Sequence, residues 1–227
     1  LPRLERALGR GSVVIQAPPG TGKTTLIPPV VAHFLASSGR TGRVVVTQPR
    51  RVAARAAARR IAALVGEEIG THIGFTVRGD SRVSPSTLIE FVTPGILVSR
   101  FQRDPELSGV DAIILDEVHE RHLDSDLAMA LAVDVRDSLR EDLLLVAMSA
   151  TVEAERTAHL LGGDVVDIPS PLHPLTYRWA PPPRGAEPLG SISSHGTIGV
   201  RREFLHHVTA TIKRALQDDD GDILAFL

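Results

Sequence analysis

Ala17-Pro-Pro-Gly-Thr-Gly-Lys-Thr-Thr25 decides the fold. It follows a short apolar run, Ser12 to Ala17, that reads as a buried strand, and it opens a helical stretch from Thr24 to Ala36. Strand, glycine-rich loop and helix in that order make a cradle for phosphate. Gly20 and Gly22 let the backbone curl so that N–H groups face inward, and the helix N-terminus adds its positive end. The pattern G-x-x-x-x-G-K-[ST] is met except at its first glycine, where Ala17 stands. Lys23 is placed to neutralise the β and γ phosphates, and the Thr24 hydroxyl to ligate Mg²⁺. Gly20, Thr21, Gly22, Lys23, Thr24 and Thr25 are therefore the nucleotide-binding candidates. The competing reading, a glycine-rich turn before a helix, is disfavoured by the strand–loop–helix context. Composition also singles out Lys23: lysine occurs only there and at Lys213, and every other basic residue is Arg.

Outward from the loop, short apolar runs alternate with helical stretches. Strands are expected at Arg43–Thr47, His72–Val77, Thr87–Val92, Ala112–Leu115, Leu143–Ala147 and Val165–Ile168. Helices are expected at Arg51–Val65, Pro94–Arg103, Leu123–Leu139 and Glu153–Leu161, and the first helix is expected to be distorted by Pro28 and Pro29. That alternation predicts an α/β fold, a mostly parallel sheet with helices on both faces, binding ligands at the carboxyl ends of its strands. With 227 residues and 43% hydrophobic content there is enough chain for one full domain of this kind and an addition. The net charge of −2 gives no bulk field, so any basic surface must be local. Absence of cysteine excludes disulfides and thiolate zinc sites. No apolar run is long enough to span a membrane, and Leu1-Pro-Arg-Leu-Glu5 has no signal-peptide pattern, so a cytoplasmic location is expected.

A phosphate cradle needs an acidic partner at the tip of another buried strand, to hold the Mg²⁺ shell. Asp111-Ala-Ile-Ile-Leu115 supplies the strand and Asp116 its tip; Glu117 is placed to orient and deprotonate an attacking water. Two other readings compete for this stretch. His119-Glu-Arg-His122 is one residue short of the zinc pattern H-E-x-x-H, with no third ligand evident. A solvated helix start explains Asp124 and Asp126, and Glu120 in part, but not two acids directly after four apolar residues.

With Gly22-Lys-Thr24 and Asp116-Glu-Val-His119 read together, the chain resembles the superfamily 2 helicases of the DEAH-box class. Further segments match in the family's order: Thr47-Gln-Pro-Arg-Arg-Val-Ala-Ala54, Gly74-Phe-Thr-Val-Arg78, Val92-Thr-Pro-Gly95, Asp116-Glu-Val-His-Glu-Arg121 and Met148-Ser-Ala-Thr151. Asp80-Ser-Arg-Val-Ser84 and Gln102-Arg-Asp-Pro-Glu-Leu-Ser-Gly109 are similar to the bacterial HrpB branch. Val118 stands where the family has Ala. The resemblance implies a first RecA-like P-loop NTPase lobe acting on ATP or another NTP, with Mg²⁺ on Thr24 and Asp116 and water activation by Glu117. His119, Ser149 and Thr151 would link hydrolysis to nucleic-acid binding, Lys23, Asp116, Glu117 and His119 forming the catalytic set. Arg60 matches the arginine that stacks on the base. Arg50, Arg51, Arg78 and Thr93 match positions that touch the backbone of RNA, expected to be single-stranded.

The arginines also carry a reading of their own. Arg51, Arg55 and Arg59 recur at i, i+4 with no acid between Arg50 and Gly66. Like charges so spaced mildly destabilise an isolated helix. A solvated Ala/Arg helix is the plain account, and an anionic partner near the helix start the sharper one, for Arg50, Arg51 and Arg60 but not Arg55. Ser149 and Thr151 alone read as a turn or N-cap, and Thr93-Pro94 alone as a helix start. One Trp, one Tyr and six Phe offer no stacking platform that would choose RNA over DNA.

The organisation expected is a nucleotide-binding lobe over residues 1–180, a Pro/Gly/Ser-rich linker or mobile loop over 181–200, and the start of a second RecA-like lobe over 201–227. Glu203 to Leu216 reads as an amphipathic helix and Gly221 to Leu227 as a strand. The family's arginine fingers lie in that second lobe and are not in this sequence. The chain is thus expected to be a piece of a longer helicase, weak or inactive in hydrolysis alone. A nucleotide-dependent switch without strand movement, or a DNA translocase, are the alternatives; nucleic-acid stimulation of hydrolysis separates the first from a helicase.

Overall fold

In the computed structural model, residues 2–150, 154–169, 175–185, 189–192, 198–218 and 221–226 are described. The chain divides into two units, Leu1–Leu172 and His173–Leu227. The first unit runs α1 (Pro2–Leu8), β1 (Val13–Gln16), α2 (Lys23–Ser37), β2 (Arg43–Thr47), α3 (Arg51–Val65), β3 (Ile73–Val77), β4 (Asp80–Arg82), β5 (Ile89–Val92), α4 (Pro94–Arg103), β6 (Val110–Leu115), α5 (Leu123–Ser138), β7 (Leu144–Ser149), α6 (Ala154–Leu161) and β8 (Asp164–Asp167).

Its strands form one sheet in the order β4-β3-β5-β2-β6-β7-β1-β8. Every pairing is parallel except β3 with β4. The central strands are continuous β-branched and aliphatic runs because both faces are covered. Alternate side chains feed two cores. Val13, Ile15, Val44, Val46, Ala112, Ile114, Val146 and Met148 meet α1, α2 and α3 on one face. Val14, Val45, Ile113, Leu115, Leu145 and Ala147 meet α4, α5 and α6 on the other. Ala54, Ala58 and Ala62 bring α3 close to the sheet, and Ala128 and Ala132 do the same for α5.

The expected α/β architecture is the one found, with local differences. α2 runs unbroken through Pro28 and Pro29. β4 was not legible: Asp80-Ser-Arg82 has no apolar alternation and exists by pairing with β3 across the Arg78-Gly79 turn. Gly74 is required there, because a Cβ would stand 2.4 Å from the Arg82 carbonyl.

The second unit holds an antiparallel pair, β9 (Leu189–Ile192) and β10 (Ile198–Val200), within the stretch expected as a linker, then α7 (Arg202–Asp218). The strand expected over Gly221–Leu227 does not form in the described residues 221–226. Leu224 and Phe226 there are 79% and 87% exposed. Apolar content alone makes no strand; the backbone N–H and C=O groups need a partner strand to bond with.

Candidate active site and adjoining cleft

β1 and β7 are neighbours with Gln16 opposite Ser149, and the Ala17 N–H continues their ladder onto the Ser149 carbonyl at 3.1 Å. From that anchored point the chain curls into the loop. Gly20 and Gly22 sit at φ +76° and +81°, where a side chain would be strained. Gly22 caps α2, its carbonyl accepting from Thr25 and Leu26 N–H, while the Thr21 hydroxyl donates to the Pro18 carbonyl. Lys23 is buried, and its ammonium donates to the Ala17 carbonyl at 2.9 Å and to Pro18 at 3.4 Å. No described carboxylate pairs with it, so its charge is held among dipoles, ready for an anion.

β6 ends beside that loop and carries Asp116, 2% exposed. Its Oδ2 accepts from the Thr24 hydroxyl at 2.6 Å and from the Gln48 side-chain amide; its Oδ1 accepts from the Glu117 N–H at 2.9 Å. Burial above all, with the adjacent Glu117 charge, holds the Asp116 pKa above its ordinary value, against the pull of those hydrogen bonds. A carboxylate so placed gains from a nearby cation. The oxygens at hand, the Thr24 hydroxyl and the Asp116 carboxylate, are the hard donors that a small divalent ion takes.

Glu117 follows in the left-handed region, φ +54°, a strained place for a side-chain-bearing residue. A short 3-10 turn, Val118–Glu120, then carries His119. The His119 Nδ1 stands 3.4 Å from the Glu117 carboxylate and 3.4 Å from the Ala150 N–H at the end of β7. Those two contacts ask opposite things of one nitrogen: to donate to Glu117 it must be protonated, and to accept from Ala150 it must not. His119 thus bridges the second acid and the segment after β7. Ser149 is buried on β7, and Thr151 lies outside the described residues.

Arg50, Arg51 and Arg78 converge nearby. Arg50, Arg51, Arg78 and Thr93 all line one cleft of about 920 Å³. They arrive from the ends of β2, β3 and β5, and the opposite wall is His122, Leu123, Asp124 and Ser125 at the start of α5. The N-termini of α3, α4 and α5 therefore all meet this cleft. Arg50 caps α3 and Arg51 is its first residue, with no acid in the first turn; positive charge on a positive helix end is unfavourable unless an anion lies against it. Thr93 caps α4 without spending its hydroxyl on the cap. Arg50 lies 3.7 Å from Glu120, which also meets the His122 ring at 2.9 Å. Arg55 is occupied otherwise, by Asp80 at 3.0 Å and over the Phe75 ring. Arg60 stands exposed on α3 and is not among the cleft residues.

Three contributors, Gln48, His122 and Asp124, are not legible as such in the sequence. Gln48 reaches Asp116; the available signal was a polar residue directly after an apolar strand that ends at a ligand-binding edge. His122 and Asp124 form a cleft wall, but read linearly they belong to a helix start, and only the fold brings them opposite Arg50.

A parallel sheet with a glycine-rich phosphate loop after β1 and a buried acid after β6 is a P-loop NTPase domain of RecA-like form. Comparison with known proteins places it more closely. Residues 3–160 match the DEAD/DEAH box helicase family, and the chain belongs to that family. It is 38% identical to the ATP-dependent RNA helicase HrpB of Escherichia coli (strain K12), over all of this chain and 26% of that protein. It is 32% identical to HrpA of the same organism, over 95% of this chain and 16% of HrpA. The crystal structure of Escherichia coli DEAH/RHA helicase HrpB superposes with a TM-score of 0.81, at 38% identity, covering 97% of this chain and 26% of that one. The likeness to the HrpB branch read from sequence is borne out. The chain spans about a quarter of the length of HrpB.

Proposed function

We propose that this chain is the first RecA-like lobe of an ATP-dependent RNA helicase, coupling NTP hydrolysis to movement or remodelling of single-stranded RNA. The observation that carries the reading is the placement of two sites on one sheet edge: the phosphate loop with Asp116, and beside it the arginine-lined cleft. Relatives named ATP-dependent RNA helicases support the substrates.

Gly20 to Thr25 would wrap the phosphates, with the Lys23 ammonium leaving the Ala17 and Pro18 carbonyls for the β and γ phosphate oxygens. Thr24 and Asp116 would hold Mg²⁺, which when bound neutralises developing charge on the phosphates. Gln48, directly after β2, donates to the same Asp116 oxygen as Thr24 and helps to fix the carboxylate. Glu117 orients and deprotonates the attacking water. His119, with Ser149 and Thr151, relays between this acid and nucleic-acid binding. Arg60 stacks on the base. Arg50, Arg51, Arg78 and Thr93 hold RNA phosphates, aided by three helix N-termini. Arginine fingers come from a second lobe in the same protein, so this chain binds nucleotide but hydrolyses it poorly. The protein works in the cytoplasm; among the described residues no helix is long and apolar enough to cross a membrane.

Fluorescence anisotropy with labelled single-stranded RNA tests the cleft. Arg50→Ala and Arg78→Ala should each weaken binding across sequences and lower the salt slope by about 1. Unaltered affinity in both variants would remove RNA from the cleft.

A further inference from the structure

Glu90 lies in the middle of β5 with none of its surface exposed, outside both sites described above. Parallel strands buried on both faces ordinarily carry Val or Ile at such a position. Instead this carboxylate is surrounded by donors from three other elements. Oε1 accepts from the Thr76 hydroxyl on β3 at 2.6 Å and from Arg100 on α4; Oε2 accepts from Arg100 at 3.0 Å and from Arg43 at the start of β2 at 2.7 Å. Arg43 is fixed in turn by the Thr87 and Ser84 carbonyls. The Arg100 guanidinium grips both oxygens of the carboxylate, the paired geometry that sets direction as well as charge.

Buried ion pairs of this kind are poor stabilisers compared with apolar side chains of the same size, so stability alone does not account for one. What this one does is join specific elements. Thr76 is two residues before Arg78, Glu90 three before Thr93, and Arg100 rides on the helix that Thr93, Pro94 and Gly95 open. Each of those neighbours lines the arginine cleft. The carboxylate thus ties together, from beneath, the β3 end and the α4 start that form two of the cleft walls. Apolar packing of Leu97 and Phe101 holds α4 against the sheet, but a greasy contact leaves rotation and sliding of a helix weakly specified.

We propose that Glu90, gripped by Arg100, Arg43 and Thr76, is a positioning residue that sets the α4 N-terminus and Arg78 at the spacing needed to bind successive phosphates of a nucleic-acid strand. It touches neither RNA nor nucleotide and acts through the residues that do. The inference rests on the reading of the cleft as the RNA site.

The test uses the 227-residue chain, a labelled single-stranded oligouridylate and Mg·ADP carrying a fluorescent group. Arg100→Met removes the grip while keeping the side-chain length; Arg100→Lys restores one charged contact; Glu90→Gln removes the charge at the centre. The expected result is RNA affinity lowered about tenfold in Arg100→Met, partial recovery in Arg100→Lys, and nucleotide affinity within about twofold of wild type in both, with a native circular dichroism spectrum. Glu90→Gln should repeat the Arg100→Met pattern. Equal losses of RNA and nucleotide affinity, following loss of folded protein, would make the cluster a scaffold only and overturn the proposal. So would unchanged RNA affinity in Arg100→Met while Arg50→Ala still weakens it, which leaves the cleft reading standing. A wild-type chain that binds no RNA overturns both.

Discussion

Lys23 is the residue on which the proposed nucleotide site turns. A buried ammonium held, among the described residues, by the Ala17 and Pro18 carbonyls has surrendered water for dipoles, and phosphate oxygens would repay that more fully than carbonyls do. Lys23→Ala removes a charge-assisted contact worth about 1.5–3 kcal/mol, so calorimetry should show Mg·nucleotide affinity falling by roughly ten- to a hundredfold. Affinity equal to wild type would mean the cradle does not hold phosphate. Residue identity is legible where chemistry restricts the choice: spacing points to Lys23, Thr24 and Asp116, and the Thr24 hydroxyl meets the Asp116 carboxylate. It is illegible where a side chain acts across the fold. The polar Gln48 after an apolar strand marks a ligand-binding edge without naming Asp116 as its partner, and Glu90 reads locally as one polar residue in an apolar run.

At the scale of elements, the sheet makes the site by bringing strand ends to one edge. β1, β6 and β7 deliver the loop, the acid and the His119 contact, while β2, β3 and β5 deliver the arginines and Thr93. Apolar runs locate these strands and their helices because buried parallel strands are mostly apolar. They fail for β4, whose three polar residues are a strand by pairing alone, and for residues 221–226, apolar without a partner. The join between β5 and α4 has its own pH signature. Burial alone would raise the Glu90 pKa, but hydrogen bonds and charge from Arg100, then bonds from Thr76 and Arg43, bring it net below the ordinary value of 4.5. A carboxyl depressed by folding binds protons more readily in the unfolded chain. Its contribution to stability is therefore complete above pH 4.5 and is lost as pH falls through the lower folded value. Urea unfolding at stepped pH should show wild type losing stability below about pH 4.5 more steeply than Glu90→Gln, which lacks the titrating group. Parallel acid profiles for the two would place the charged form of Glu90 outside the stabilising network.

For the whole molecule, the two sites share an edge but not a mechanism until something moves between them. His119, facing both Glu117 and the β7 end, and Glu120, facing Arg50, put the connecting 3-10 turn in touch with each side. The chain spans about a quarter of HrpB; in the proposed function an arginine finger, worth roughly 10³-fold or more in rate, comes from a second lobe. In the proposed function, hydrolysis at the cradle answers to RNA in the cleft. The most direct test is steady-state ATP hydrolysis by the two-lobe protein, with and without single-stranded RNA or DNA, with this chain and the two-lobe Glu117→Gln variant alongside. Strong stimulation by RNA, a nearly silent 227-residue chain, and a variant that binds ATP without turning it over are expected. A rate indifferent to both nucleic acids, or full turnover by this chain alone, would contradict the proposed function.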